Sequence, residues 1–166
     1  LLAIAAHKFE GPKGAGALYL RAGTHILGQQ QGGTQERFRR AGTEDVAGAI
    51  GMAVAFELAV AERDATARRL RRGRDRLLAA LTAVEGAELT GHPKDRLPGL
   101  VSVIVRDVEG ASVVVKLDLE GVAASVGSAC TTGSAEPSHV LAAMGYPEEE
   151  ARGALRFSLG RATLDA

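Results

Sequence analysis

The chain has 166 residues, the length of one ordinary domain and enough to bury a sizeable core. Its 20 basic and 20 acidic side chains cancel, so net charge points to neither a nucleic-acid nor a membrane partner. The longest apolar stretch, residues 46–61, contains Glu57 and is too short to span a membrane. Cys130 is the only cysteine, which excludes an intrachain disulfide and favours a reducing, cytoplasmic compartment.

The first 45 residues are predicted to form two short buried strands joined and followed by loops. Residues 1–6 and 17–21 are the strands, and a glycine-rich turn over residues 11–16 separates them. A polar, glycine-containing loop covers residues 27–36. Thr43 is followed by two acidic residues, a pattern typical of a helix start, because a hydroxyl caps free amides and acids favour the first turn.

A long helical segment is predicted next. One apolar stripe recurs at four-residue spacing: Val46, Ile50, Val54 and Leu58. Residues 63–76 are rich in arginine and continue into an apolar face, with Gly73 as a candidate interruption and Gly86 as the end. The arginines could bind nucleic acid or an acidic partner, but a solvated helix face is the favoured interpretation.

The rest of the chain alternates between strands and helices. Strands are predicted at residues 100–106, 122–128 and 154–159, and helices at 111–119 and 138–144. This alternation indicates the α/β or α+β class. Residues 1–45 are interpreted as the edge of one domain, 46–84 as a linking helix and 85–166 as a compact α+β unit. The absence of an initiator methionine before Leu1 suggests that the chain is truncated.

Two residue types in this pattern indicate chemistry. A lysine that reacts with an aldehyde must be held rigidly and partly desolvated, and Lys8 follows His7 at the start of the glycine-rich turn. Cys130 lies among glycine, serine and threonine rather than in an apolar run, which suits a mobile nucleophile. Taken alone, Lys8 is more simply an exposed lysine, and His7 a buried structural histidine. The four histidines show no metal-ligand spacing.

Four segments in order carry a resemblance to a known family. They are Ala6-His7-Lys8 with Gly11-Pro12-Lys13-Gly14; Gly32-Gly33-Thr34-Gln35-Glu36 with Arg40-Ala41-Gly42-Thr43-Glu44; Gly127-Ser128-Ala129-Cys130 with Glu136-Pro137-Ser138-His139; and Arg156-Phe157-Ser158-Leu159-Gly160-Arg161. Together they resemble the later part of cysteine desulfurases of the NifS/IscS group, within the class V aminotransferases of pyridoxal-phosphate fold type I. The resemblance implies an α/β fold: the edge of the large cofactor-binding domain, the linking helix and most of the small C-terminal α+β domain.

The resemblance also implies a role for each candidate residue. Lys8 would form the Schiff base with pyridoxal 5'-phosphate, and His7 would lie by the cofactor phosphate. Thr43 would reach the phosphate of the partner subunit in a homodimer. Cys130 would be the nucleophile and Arg156 the clamp for the substrate carboxylate, although Arg156 could equally pair with a structural carboxylate.

The implied function is removal of sulfur from L-cysteine, giving L-alanine and a persulfide on Cys130. The persulfide would pass to a sulfur acceptor, either an iron–sulfur scaffold or a tRNA-thiolation carrier. One departure is Ala5, where the family usually has a serine that donates to the cofactor phosphate. Two alternatives stay open: a catalytically incomplete piece that acts as a structural or interaction module, and a related enzyme such as a selenocysteine lyase.

Overall fold

The computed structural model of the protein describes residues 1–127 and 137–163. The chain divides into two compact units, Leu1–Arg63 and Asp64–Ala166. The strands are β1 Leu2–Ala5, β2 Gly16–Tyr19, β3 Ala87–Leu89, β4 Leu100–Val105 and β5 Ala154–Ser158. The helices are α1 Gln35–Phe38, α2 Val46–Thr82, α3 Gly110–Leu119, α4 His139–Ala143 and α5 Glu148–Ala151, and a 3-10 helix covers Ala6–Phe9.

The first unit begins with an antiparallel hairpin of β1 and β2. Leu2 pairs with Tyr19 at the open end, and Ala5 pairs with Gly16 next to the turn. The two strands lie where the sequence predicts them, but the prediction that they are buried is wrong, since Leu2 is 58% and Tyr19 64% exposed. Apolar composition predicts a strand, whereas burial also needs a second layer, and within the described first unit the hairpin has no such cover.

Helix α2 is continuous from Val46 to Thr82. Gly73 does not interrupt it, because one glycine costs only about 1 kcal/mol in a helix interior. The helix ends at Thr82, before Gly86, which adopts a positive φ of 78° in the turn to β3. The predicted apolar stripe has the correct spacing but is exposed, with Val46 at 63%. Within the described residues, no helix is both long and apolar enough to cross a membrane.

The second unit contains a three-stranded antiparallel sheet in the order β3-β4-β5. Strand β4 is central and follows from the β-branched run predicted at residues 100–106. Helix α3 and strand β5 also match their predictions, whereas the short strand β3 was not predicted. One predicted strand is wrong: within residues 122–127 only Ser125 forms a bridge, to Arg156. A single bridge on the free edge of β5 is too short to make a strand.

The sheet buries apolar side chains on both of its faces. One cluster comprises Val101, Val103, Leu155 and Phe157, covered by the side chains of Leu77, Leu78 and Leu81 from α2 and Val113, Val114 and Leu117 from α3. The other comprises Ile104, Leu141, Ala151 and Ala154, with Tyr146 packed against it. Alternation along β4 explains the division, because successive side chains of a strand point to opposite faces. This core is the rigid support for Arg156.

Candidate active site

A buried alanine holds the turn that carries His7 and Lys8. Ala6 is 0% exposed, and its carbonyl oxygen accepts the backbone N–H of Gly11 at 2.9 Å. Glu10 ends the 3-10 helix in the left-handed conformation, with φ of 67°. His7 and Lys8 are exposed, so the described residues provide neither the partial desolvation expected of a reactive lysine nor the burial expected of a structural histidine. The lysine therefore projects from a hydrogen-bonded turn rather than from a loose loop.

The same turn packs closely against the first part of α2. Phe9, the residue after Lys8, meets Phe56 edge to face, with ring centroids 5.8 Å apart. Gly11 lies so close to the helix that a Cβ there would be 3.2 Å from the Cβ of Ala55. Only glycine fits this position without movement of a neighbour. Packing against the helix thus holds the turn that carries Lys8 in place within the first unit.

Thr43 lies before α2 but does not cap it. The cap is Asp45, whose Oδ1 accepts the backbone N–H of Gly48 at 2.9 Å, while the Asp45 carbonyl oxygen accepts Ala49 N–H at 3.0 Å. The predicted capping role of Thr43 is therefore wrong. A carboxylate two residues later is already placed to bind the free amides of the first turn. The Thr43 residue is exposed, so its hydroxyl is available for another role.

Thr43 lines a cavity of the first unit together with the glycine-rich turn and one arginine. Gly14, Gly16 and Arg40 border this cavity. Three carboxylates border it too: Glu36, Glu44 and Asp45. A guanidinium, a hydroxyl and a glycine-rich turn can bind a phosphate, and the Asp45 carboxylate is already engaged by the helix. The lining thus holds one guanidinium and one hydroxyl that can bind an anion, and the negative charges of Glu36 and Glu44 oppose such binding.

Arg156 lies in the middle of β5 and lines a cavity of the second unit. The cavity has a volume of about 320 Å³. Its other walls are largely apolar and come from Leu97, Leu100, Val140, Leu141 and Met144. The Nε of Arg156 is buried and has no hydrogen-bond partner among the described residues. A buried N–H without a partner is costly, so this arginine is suited to a ligand that supplies an acceptor.

A polar row crosses the sheet towards Arg156. Ser102 on β4 is the register partner of Arg156 on β5. Thr90, which is 3% exposed, lies next to Ser102, with 2.7 Å between Thr90 Oγ1 and Ser102 Oγ. The carbonyl oxygen of Thr90 accepts a hydrogen bond from Nη2 of Arg96 at 2.7 Å. Burial lowers the pKa of Arg96, and the charge of Arg74 lowers it further. Sequence analysis missed this row, although Ser102 is the one polar residue in the strand sequence Leu-Val-Ser-Val-Ile-Val.

The residues that flank the segment carrying Cys130 lie at the Arg156 cavity. Cys130 itself lies outside the described residues. Gly127 and Ser138, on either side of that segment, both line the cavity. Nearby, the backbone of Ser125 is bonded in both directions to Arg156, with N–H to O distances of 3.0 and 2.6 Å. His7, Lys8 and Thr43 lie in the first unit and Arg156 in the second.

The described residues contain no group of three or more side chains suited to holding a metal ion. Comparison with known proteins gives the family. The profile of class-V aminotransferases matches residues 1–165. The chain belongs to the class-V aminotransferase family.

Class-V relatives with similar sequences are named cysteine desulfurases. IscS of Methanosarcina thermophila is 50% identical over 161 residues, which cover 97% of this chain and 40% of that protein. NifS of Azotobacter vinelandii is 45% identical over 166 residues, which cover 99% of this chain and 41% of that protein. The chain thus spans about two fifths of the length of these relatives.

Two solved structures share the fold of this chain. A NifS-like protein superposes with a TM-score of 0.85 at 34% identity, covering 98% of this chain and 41% of its own. The structure of SspA in complex with cysteine superposes with a TM-score of 0.63 at 28% identity, covering 95% of this chain and 43% of its own. The predicted fold class, a part of the pyridoxal-phosphate transferase fold, is confirmed.

Proposed function

We propose that the protein containing this chain is a pyridoxal-phosphate-dependent cysteine desulfurase. One observation carries the proposal: Arg156 and the two residues that bound the Cys130 segment line one cavity. Arg156 can bind a carboxylate in this cavity, and Cys130, the only thiol of the chain, belongs to the segment between those two residues. The names of the relatives and the cysteine complex of a similar structure support L-cysteine as the substrate.

The residues of the first unit fit pyridoxal phosphate. Lys8 is exposed on a turn that Ala6 and the packing of Phe9 against Phe56 hold in place, so its ε-amine can hold the cofactor covalently. His7 precedes it and can donate to the phosphate. When bound, the cofactor supplies an electron sink for the substrate carbons. Ala5 removes one hydroxyl donor that the family usually has at this position.

Thr43 would complete the phosphate site of a second subunit. Its hydroxyl is exposed and is not the cap of α2, which Asp45 provides. The Arg40 guanidinium lines the same cavity. We place the partner subunit's cofactor phosphate against Thr43, so each active site requires a homodimer.

In the second unit, Arg156 binds the substrate and Cys130 takes its sulfur. The planar guanidinium forms two parallel hydrogen bonds with the L-cysteine carboxylate and fixes the orientation of the substrate. The Cys130 thiolate attacks the substrate sulfur. The substrate C–S bond breaks, its electron pair stays on carbon, and protonation of that carbon gives L-alanine. Cys130 is left as a persulfide.

The outer sulfur of the Cys130 persulfide must then pass to an acceptor. The IscS and NifS names of the relatives favour an iron–sulfur scaffold protein, with a tRNA-thiolation carrier as the other acceptor class. Because Cys130 is the only cysteine, the chain has a single residue that can carry the transferable sulfur. A single cysteine also suits a reducing cytoplasm. Nucleic acid is not a direct partner in this proposal.

Two variants of the intact protein test the function. Cys130→Ser should retain the visible absorbance of the lysine-bound cofactor but release no alanine and form no persulfide from L-cysteine. Lys8→Ala should lose the absorbance. Alanine release and persulfide labelling are measured for both against the unsubstituted protein. Unchanged turnover of Cys130→Ser would remove the thiol from the mechanism, and failure of the unsubstituted protein to release alanine would reject the desulfurase function.

A further inference from the structure

Two observations around Arg156 are not explained by carboxylate binding alone. Its Nε is buried and unpartnered among the described residues. Its register partner across the strands is Ser102, the one hydroxyl in an otherwise apolar strand. Register partners on antiparallel strands have side chains on the same face, with Cβ atoms about 4.5–5.5 Å apart. A polar side chain therefore lies beside the arginine, although an apolar one would fit the strand better.

Ser102 is held from its other side by a buried threonine. Thr90 N–H donates to the Ser102 carbonyl oxygen at 3.0 Å, and Thr90 Oγ1 lies within hydrogen-bond distance of both that oxygen, at 3.1 Å, and Ser102 Oγ, at 2.7 Å. Arg96 in turn donates to the carbonyl oxygen of Thr90 at 2.7 Å. A hydroxyl oxygen can accept two hydrogen bonds, so Ser102 Oγ keeps at least one free acceptor position whichever of the two hydroxyls donates. The side chains of Thr90, Arg96, Ser102 and Arg156 all line the same largely apolar cavity.

We propose that Ser102, fixed by Thr90, is a positioning residue for Arg156. When a carboxylate engages the terminal amino groups of the guanidinium, Ser102 Oγ accepts the Nε–H. The bond fixes the plane of the guanidinium, so that both terminal groups face the carboxylate. The 2.7 Å contact with Thr90 Oγ1 limits rotation of the Ser102 side chain, so the acceptor oxygen stays in place. The inference rests on the proposed role of Arg156 in binding a carboxylate.

The test separates carboxylate binding from general folding. The cofactor-loaded protein is titrated by calorimetry with mercaptopropionate, which has a carboxylate and no amine, and with cysteamine, which has an amine and no carboxylate. The variants are Ser102→Ala, Thr90→Val and the hydroxyl-retaining Ser102→Thr. Ser102→Ala should weaken mercaptopropionate binding about fivefold, the effect of one hydrogen bond, and Thr90→Val should weaken it less. Ser102→Thr should remain within about twofold, and cysteamine should bind all variants equally.

Two results would overturn the positioning role. One is mercaptopropionate affinity that is the same in Ser102→Ala as in the unsubstituted protein. The other is equal weakening of both ligands, which indicates a structural effect. Alanine release from L-cysteine is measured in parallel as the separate test of the desulfurase. If no alanine is released but Ser102→Ala selectively weakens mercaptopropionate binding, the desulfurase activity is rejected and the role of Ser102 is kept. If alanine is released normally but mercaptopropionate binding is not selectively weakened, the role of Ser102 is rejected and the activity is kept.

Discussion

Gly127 and Ser138 are in direct contact. A Cβ on Gly127 would lie 2.8 Å from the Cβ of Ser138 and 3.2 Å from its Oγ. The two residues bound the segment that carries Cys130, and both line the cavity of Arg156. The residues that flank this segment thus meet beside the proposed carboxylate site.

Gly127→Ala should disturb this point. Gly127 has a φ of 153°, and the added methyl group would meet Ser138, so we expect a loss of about 1–3 kcal/mol in the free energy of unfolding. Guanidinium unfolding measures it. Gly121→Ala is the matched control, because Gly121 also has a positive φ, 78°, but nothing lies within 4 Å of its added Cβ. A smaller loss at 127 than at 121 would contradict the contact.

Asp45→Ala and Thr43→Ala should separate helix capping from phosphate binding. Asp45→Ala removes the acceptor of the Gly48 N–H and should cost about 1 kcal/mol of stability. Thr43→Ala should cost less than about 0.5 kcal/mol but weaken retention of pyridoxal phosphate, because its hydroxyl is assigned to the phosphate. Thermal unfolding and cofactor dialysis measure the two effects. A larger stability loss for Thr43→Ala would restore it as the cap.

Gly11→Ala should displace the turn that carries Lys8. The added Cβ would be 2.9 Å from the Cβ of Ala6 and 3.2 Å from that of Ala55. Misplacement of a reacting amine by about 1 Å can cost two orders of magnitude, so we expect cofactor retention to fall about tenfold or more. The visible absorbance after dialysis measures retention. Gly160→Ala is the control, since nothing lies within 4 Å of its added Cβ. Equal retention in both variants would contradict a rigid turn.

Arg156→Lys should raise the KM for L-cysteine about 10- to 100-fold, because an ammonium group cannot form the two parallel bonds of a guanidinium. Steady-state alanine release measures the KM. Arg152→Lys is the control in the same unit. Arg152 pairs with Glu148 at 2.9 Å on the surface, and its replacement should leave the KM unchanged. Equal KM values for the two variants would place the carboxylate elsewhere.

The sequence predicted elements whose signal is local. The β-branched run of β4 and the apolar periodicity of α3 and β5 specify strand and helix directly. Burial of the β1–β2 hairpin and of the stripe from Val46 could not be read in this way, because burial depends on what covers a face. The cap of α2 was assigned to Thr43 rather than Asp45, since both residue types favour that position.

The candidate site was predictable to a similar extent. The order of the motifs pointed to Lys8, Thr43, Cys130 and Arg156 as candidates, and their roles stay predictions. The row formed by Thr90 and Ser102 could not be predicted, because strand register brings residues twelve positions apart into contact. A lone serine in an apolar strand gives only a weak signal of a partner across the sheet.

The bridge between Ser125 and Arg156 is made entirely by main-chain atoms. Any residue at 156 other than proline can therefore keep it, whatever its side chain. The side chain proposed to bind the substrate carboxylate can thus be exchanged while the main chain that leads to the Cys130 segment keeps its bridge to β5. If Arg156 binds the substrate, substrate preference can change by mutation at that position without loss of this main-chain anchor.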